Sequence, residues 1–349
     1  MLNAQPVLHR FAKRKGGVIG RPFPVEPAAL AAPNAFPEGV ALPAHALTQQ
    51  PAEHHGPPTQ FTPSERLDME AACAVARDVL AAAGGLLQAG KTTAEIDAFV
   101  HKSVVACGGY PAALNYQGFP RSVCASVNEV VVHGVPDTRP LQAGDVVSLD
   151  LVVFFKGMYG DTCRTFVVPP EGTAAQAAVA GTEYVDDETA ELVRTTHKAM
   201  HVGIDMARAG TRVGDLGTAV GDFAAAAEYA SVRQFAGHGI GKAMHSKPLV
   251  IHAANREPFV LSPHMAITVE PMLVQGSDKL VMWQDGWTVA TMDGGLGAQF
   301  EHCVYVNEEG APTIMTAWEG EAHAEQPWLP GVGDQLDFVV QDSKWWPAA

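Results

Sequence analysis

The 349-residue chain has a formal net charge of -15 at pH 7 and five cysteines. That length allows one large α/β domain with extensions or two ordinary domains, and a sizeable core in either case without disulfide or zinc staples. The acidic balance argues against a general nucleic-acid binder, no apolar run approaches the roughly 18 residues a spanning helix requires, and Cys73, Cys107, Cys124, Cys163 and Cys303 form no CxxC pair, as expected of small apolar fillers in a reducing compartment.

Residues 1–25 carry five basic residues (Arg10, Lys13, Arg14, Lys15, Arg21) and no acidic one. This asymmetry suggests a targeting segment or a disordered basic arm. From Pro22 to Pro63 the chain is rich in Pro, Ala and His, as in a linker or an extended arm lying over a domain, and His54 and His55 read as solvated. Thr62-Pro63-Ser64-Glu65 then opens a helix with a cap residue and a proline at its first position. Apolar residues from Leu67 to Leu80 recur at helical spacing, to about Ala83. A second helix is expected after Gly90, capped by Thr92 or Thr93, ending at Gly108-Gly109.

Residues 146–155 and 158–168 read as two strands of a hairpin about the turn Lys156-Gly157. That register pairs Asp150 with Cys163 and puts Asp161 on the same face. Such diagonal neighbours lie roughly 7–8 Å apart. Two carboxylates in apolar sheet sequence need a cation or another partner, because unpaired buried charge costs several kcal/mol. A metal is one answer; salt bridges to Arg164 or Arg139 at solvated strand ends are the other. Residues 169–186 read as a surface excursion.

The order then repeats, with helices from about Asp187 to Ala209 and from Val213 to Ala230, and strands near 232–236, 265–275, 286–292 and 298–306. This resembles an internal duplication, although the residues do not repeat visibly. Four of the six tryptophans lie beyond Thr316, in a tail expected to pack back on the body or on a partner. The second half supplies His238 between two glycines, His245 seven residues later, Glu270 just before Pro271, and Glu301. Any one of these alone reads as a hydrogen-bonded buried polar residue. Together, four carboxylates and an imidazole embedded in β sequence suit an oxygen-rich dinuclear site for Mn, Fe, Co or Zn.

NEVVVHGVPD, LD at Asp150, GD at Asp161, GHGIG, AITVEPM and DGWTVATMDGGLGAQFEH closely resemble the motifs of type I methionine aminopeptidases, over roughly residues 66–315. The resemblance implies an α+β, pita-bread fold: pseudo-twofold halves of antiparallel sheet covered by helices. It implies a basic, Pro-rich arm over 1–61, a catalytic domain over 62–316 and a tryptophan-containing tail over 317–349. By position, Asp150, Asp161, His238, Glu270 and Glu301 would hold two divalent ions (Co, Mn, Fe or Zn), with Asp161 and Glu301 bridging. His245, Glu270 and His133 would be catalytic, the two histidines also contacting substrate. Tyr116, Phe119, Cys124, Met244 and Trp287 would form the methionine pocket.

The implied activity is removal of the N-terminal methionine from nascent chains with a small second residue. Nascent polypeptide N-termini are then the partner, the ribosome is a second candidate, nucleic acid is not a substrate, no membrane is involved, and a monomer is expected. Cytoplasmic and organellar locations both remain open. A prolidase-like peptidase and an inactive homologue that binds nascent chains are the alternatives. The chain departs from the common family pattern at Val152, Met244, Ser246 and Gln117. Val152 stands where many members carry a threonine near the metal-bound water, and it cannot hydrogen-bond that water.

Overall fold

The computed structural model describes residues 37–51, 60–172 and 184–318. Four long helices form where capping chemistry and apolar spacing coincide. α2, Pro63–Gly85, and α3, Thr93–Ala106, each begin with a complete capping box, in which Thr62 or Thr92 exchanges hydrogen bonds with the glutamate three residues on. α4, Asp187–Met206, is capped by the Asp186 carboxylate, and α5, Val213–Ala226, follows after a short turn. Ahead of them lies α1, Ala44–Thr48. The helices predicted from sequence are therefore all present, the last two ending a few residues early.

The helices cover a nine-stranded antiparallel sheet. Its N-terminal half contains β1, Cys124–Val127, β2, Val146–Phe155, and β3, Met158–Val167. Lys156 and Gly157 both take positive φ, 50° and 81°, the backbone of a tight hairpin turn whose twist matches the strands. The register that results pairs Asp150 with Cys163, as the sequence implied. The other half contains β4, Gly237–Gly239, β5, Ser246–Val250, β6, Ala266–Val269, and β7, Glu301–Val306. β7 pairs with both β3 and β6, so it joins the two halves at the centre.

The halves repeat in backbone detail. Thr92, just before α3, bridges to Pro140, and Arg212, just before α5, bridges to Val260. Gly90 N–H donates to Leu141 O at 2.8 Å, and Gly210 N–H to Leu261 O at 2.9 Å, both glycines at φ 89°. The same sequence spacing relates Gly90 to Gly210, Leu141 to Leu261 and Asp150 to Glu270. The duplication is thus visible in the residues once the geometry picks them out, contrary to the reading of the sequence alone.

Two apolar layers follow from this symmetry. One packs α2 and α3 against β1 to β3, around Leu80, Val100 and Leu149. The other packs α4 and α5 against β5 to β7, around Leu192, Leu216 and Ile267. At Gly160 a Cβ would lie 2.5 Å from backbone atoms of Ala72 and Cys73, so only glycine lets α2 sit this close to the hairpin beside Asp161.

Several expectations change. The segment 232–236 is not a strand; pairing occurs instead at Ala230–Ser231 and at β4. The stretch 265–275 is two strands broken at Glu270-Pro271, and 298–306 is likewise two. β1, Val130–Val132 and β5 were not anticipated as strands. His54, His55, most of the 169–186 excursion and the tail beyond Trp318 lie outside the described residues. Trp318 itself stacks under the Arg164 guanidinium, 3.9 Å from the ring centroid.

Candidate metal and substrate site

The five proposed ligands reach one point from both halves. Asp150 and Asp161 come from β2 and β3, His238 from β4, Glu270 from the end of β6, and Glu301 from the start of β7. Asp161, His238 and Glu301 each present a donor atom within 4.8 Å of the others'. His238 Nε2 lies 3.9 Å from Asp161 Oδ2 and 3.7 Å from Glu270 Oε1. The glycines beside His238 are required: a Cβ at Gly237 would sit 2.5 Å from Thr268 O, and one at Gly239 2.2 Å from Lys247 O. They let β4 lie tight between its neighbours with the imidazole turned inward.

Hydrogen bonds orient two of these groups, His238 and Glu270. His238 Nδ1 faces Gly239 O at 3.2 Å, so Nδ1 carries the proton and the Nε2 lone pair points at the carboxylates. Thr268 Oγ1 donates to Glu270 Oε1 at 2.8 Å and accepts from His238 N–H at 2.9 Å. His252 Nε2 accepts from Glu270 N–H at 3.0 Å, which ties down the β6 terminus; the sequence gave no cue to that histidine.

Electrostatics favour a cation here. Desolvation pushes Asp150 up to about 7 and Glu270 up to about 8. Asp161 and Glu301 are pushed well above the carboxylate range, by burial first and then by repulsion from the other carboxylates. Asp161 Oδ1 is buried with no hydrogen-bond partner among the described residues. A buried acceptor without a donor, inside a cage of four carboxylates and one correctly tautomeric imidazole, fits divalent ions with hard-to-borderline preferences.

The stripped cage has a testable cost. A carboxyl whose folded pKa lies above its unfolded value stabilises the fold while protonated and loses that contribution as pH rises through the folded value. Burial lowers His133 and His238 to about 4, so these groups act only below the ordinary histidine range and leave the window above pH 7 to the carboxyls. Metal-free protein is therefore expected to lose roughly 5 °C or more in Tm between pH 7 and pH 9. Metal-loaded protein should hold its Tm over the same range. Parallel curves from differential scanning calorimetry would contradict this.

The cluster forms one end of a cavity of about 300 Å³, whose wall includes Tyr116, Phe119, Cys124, His133, Met244, His245 and Trp287. Every site residue expected from the sequence therefore meets in one place. The Phe119 and Trp287 rings make an edge contact with centroids 5.1 Å apart, and His133 sits edge-on to Trp287 at 6.1 Å. Cys124 pairs with Asp150 across β1 and β2, which puts its thiol beside the carboxylates. His245 lies with its ring centroid 4.3 Å from that of His238, and its Nδ1 is 2.6 Å from the Tyr116 hydroxyl. Enclosure by protein, then repulsion from His238, His133 and His45, keeps it neutral. Val152 lines the same wall, an apolar side chain beside the carboxylates.

Phe235, Met272 and Gln299 also line the cavity and were not anticipated. Phe235 packs edge-on against His133, with centroids 5.2 Å apart. Gln299 lies two positions before Glu301, and strand alternation could have signalled it.

A family profile described as metallopeptidase family M24 matches residues 68–308. Methionine aminopeptidase 1B, chloroplastic, of Arabidopsis thaliana is 39% identical over 246 residues, 70% of this chain and 63% of the relative. The chain therefore spans a little under two thirds of that relative's length. Methionine aminopeptidase 1D, mitochondrial, of Homo sapiens is 38% identical over 251 residues, covering 72% of this chain and 70% of the relative. Among solved structures, methionine aminopeptidase from Rickettsia prowazekii superposes with a TM-score of 0.69 at 34% identity, covering 75% of this chain and all of that one. Prolidase from Pyrococcus furiosus shares the fold, with a TM-score of 0.55 at 20% identity.

Proposed function

The chain belongs to metallopeptidase family M24, and on that premise we propose that it removes the N-terminal methionine from polypeptides, favouring a small second residue. The observation that carries the proposal is the Asp161, His238 and Glu301 cluster, with Asp150 and Glu270 beside it, opening on an aromatic and sulfur-lined cavity of about 300 Å³. Such a wall suits an unbranched thioether, since sulfur contacts ring edges favourably.

Asp150, Asp161, His238, Glu270 and Glu301 would hold two divalent ions. When bound, the ions supply a water of lowered pKa and a Lewis acid for the scissile carbonyl. Glu270, oriented by the Thr268 hydroxyl at Oε1, would accept the water's proton and return it to the leaving amine. His245 donates from Nε2 to the carbonyl oxygen as charge develops there, and His133 binds the amide that follows. Phe119, Cys124, Met244 and Trp287 exclude water from the methionine side chain.

The partner is a nascent polypeptide N-terminus, with the ribosome as a second candidate contact and a monomer as the working state. No helix among the described residues is long and apolar enough to cross a membrane. The basic residues of segment 1–25 and the chloroplastic and mitochondrial names of similar proteins support an organellar location beside the cytoplasmic one.

Prolidases share the fold, so the substrate comparison is the test. Met-Ala-Ser should be cleaved at least about 10²-fold better, in kcat/KM, than any Xaa-Pro dipeptide, a difference of pocket fit and of the prolyl nitrogen's missing proton. Preference for Xaa-Pro would replace this reading with the prolidase-like one.

A further inference from the structure

Residues 115–118 form the loop that carries Tyr116 to the site. Its backbone takes positive φ at Asn115 (62°), Gln117 (48°) and Gly118 (84°). For the two residues with a Cβ this costs on the order of 1 kcal/mol each, and such conformations persist only where the surroundings over-determine them. Here the surroundings come from a separate segment, well before the first long helix. Asn115 Nδ2 donates to Ala46 O at 2.6 Å, and its Oδ1 accepts from Gln49 Nε2 at 2.9 Å.

Between these contacts His45 enters the protein, 1% exposed. Its Nε2 donates to Ala112 O at 2.8 Å. That leaves Nδ1 to accept from the Tyr159 hydroxyl at 3.4 Å, and the imidazole stands edge-on to Tyr116 with centroids 5.2 Å apart. The Tyr116 hydroxyl lies 2.6 Å from His245 Nδ1, within reach to donate its proton to that atom. With the hydroxyl as donor, His245 carries its proton on Nε2.

We propose that two residues ahead of the first long helix work for the active site: His45 and Gln49 lock the 115–118 loop, and Tyr116 in turn fixes the orientation and tautomer of His245. His45 is thus a positioning residue that acts through Tyr116. The proposal rests on the aminopeptidase reading for its kinetic consequence, and on geometry alone for its spectroscopic one.

The test uses the full-length, metal-loaded protein, the single variants His45→Ala, Gln49→Ala, Tyr116→Phe and Leu47→Ala, the His45→Ala/Tyr116→Phe double variant and, for assignment alone, His245→Gln. His45→Ala should lower kcat/KM for Met-Ala-Ser about tenfold with bound metal unchanged, since small misplacements of a reacting group have effects of this order. In the Tyr116→Phe background the same change should have less than about a twofold effect, because the two act in one chain. Gln49, exposed at the surface, gives a smaller loss in the same direction without disturbing the core. Leu47, 73% exposed, should leave activity unchanged. Nitrogen NMR of the imidazoles, with His245 assigned by its absence in His245→Gln, should show the Nε2–H tautomer in the parent and a mixture in His45→Ala.

Wild-type kinetics in both His45→Ala and Gln49→Ala, or full additivity in the double variant, would overturn the proposal. An inactive parent protein would overturn the aminopeptidase reading instead, and the imidazole spectra would still decide the role of His45: an unchanged His245 tautomer rejects it.

Discussion

Asp161→Asn should lower kcat/KM for Met-Ala-Ser by more than about 10²-fold and prevent stoichiometric metal loading. Changing a residue that merely hydrogen-bonds a ligand typically costs 10- to 100-fold in affinity or activity, so loss of a central ligand should exceed that range. Asparagine preserves the shape of the side chain. It removes the charge and offers an amide donor where Oδ1 now lies buried without a partner and where Oδ2 faces His238 at 3.9 Å. The same change relieves the repulsion that raises Asp161 and Glu301. Metal-free Asp161→Asn protein should therefore melt higher than metal-free parent at pH 9, while being nearly inactive with any metal. Retained activity with two bound ions would remove Asp161 from the ligand set.

His245→Ala has the second largest expected effect, a fall in kcat of about 10²- to 10³-fold, the range found when a single donor to a developing oxyanion is removed. Its ring lies beside His238 rather than among the carboxylates, so metal content should remain that of the parent. KM should change only a few-fold, because the contact strengthens as the carbonyl oxygen gains charge. Steady-state kinetics with metal analysis on the same sample separate the possibilities. A rise in KM at constant kcat would make His245 a binding residue only.

The site was legible in the sequence wherever local chemistry left no choice. Lys156-Gly157 fixes a turn, the turn fixes the register, and the register puts Asp150 opposite Cys163 and Asp161 on the same face. The glycines around His238 announce a backbone approach that the structure contains. Capping residues likewise set the starts of α2 and α3. Pairing decided by distant partners was not legible. β1 and Val130–Val132 are strands of four and three residues, too short for a periodic signal, and they form because β2 and Val289–Thr291 lie beside them. The segment 232–236 reads as strand-like, yet Val232 packs with Met272 and Phe235 lines the cavity.

The duplication was hidden for a related reason. What the halves share is backbone geometry at Gly90 and Gly210 and one hydrogen-bonded leucine in each, while the residues between have diverged. Only Asp150 and Glu270, standing at equivalent places, betray a common plan for the site. α1 illustrates the opposite case. Five residues after a proline carry no periodic pattern, and their order comes from the cradle of Tyr110, Tyr116 and Tyr159 around His45.

The most direct measurement is methionine release from Met-Ala-Ser by metal-stripped protein, titrated in turn with Co, Mn, Fe and Zn. Release should be absent in the stripped protein, appear with at least one of these ions, saturate by two equivalents, and vanish again with chelator. A folded protein that binds two ions and releases no methionine with any of them would contradict the account, and would point to Val152, beside the carboxylates, as the place where hydrolysis has been lost.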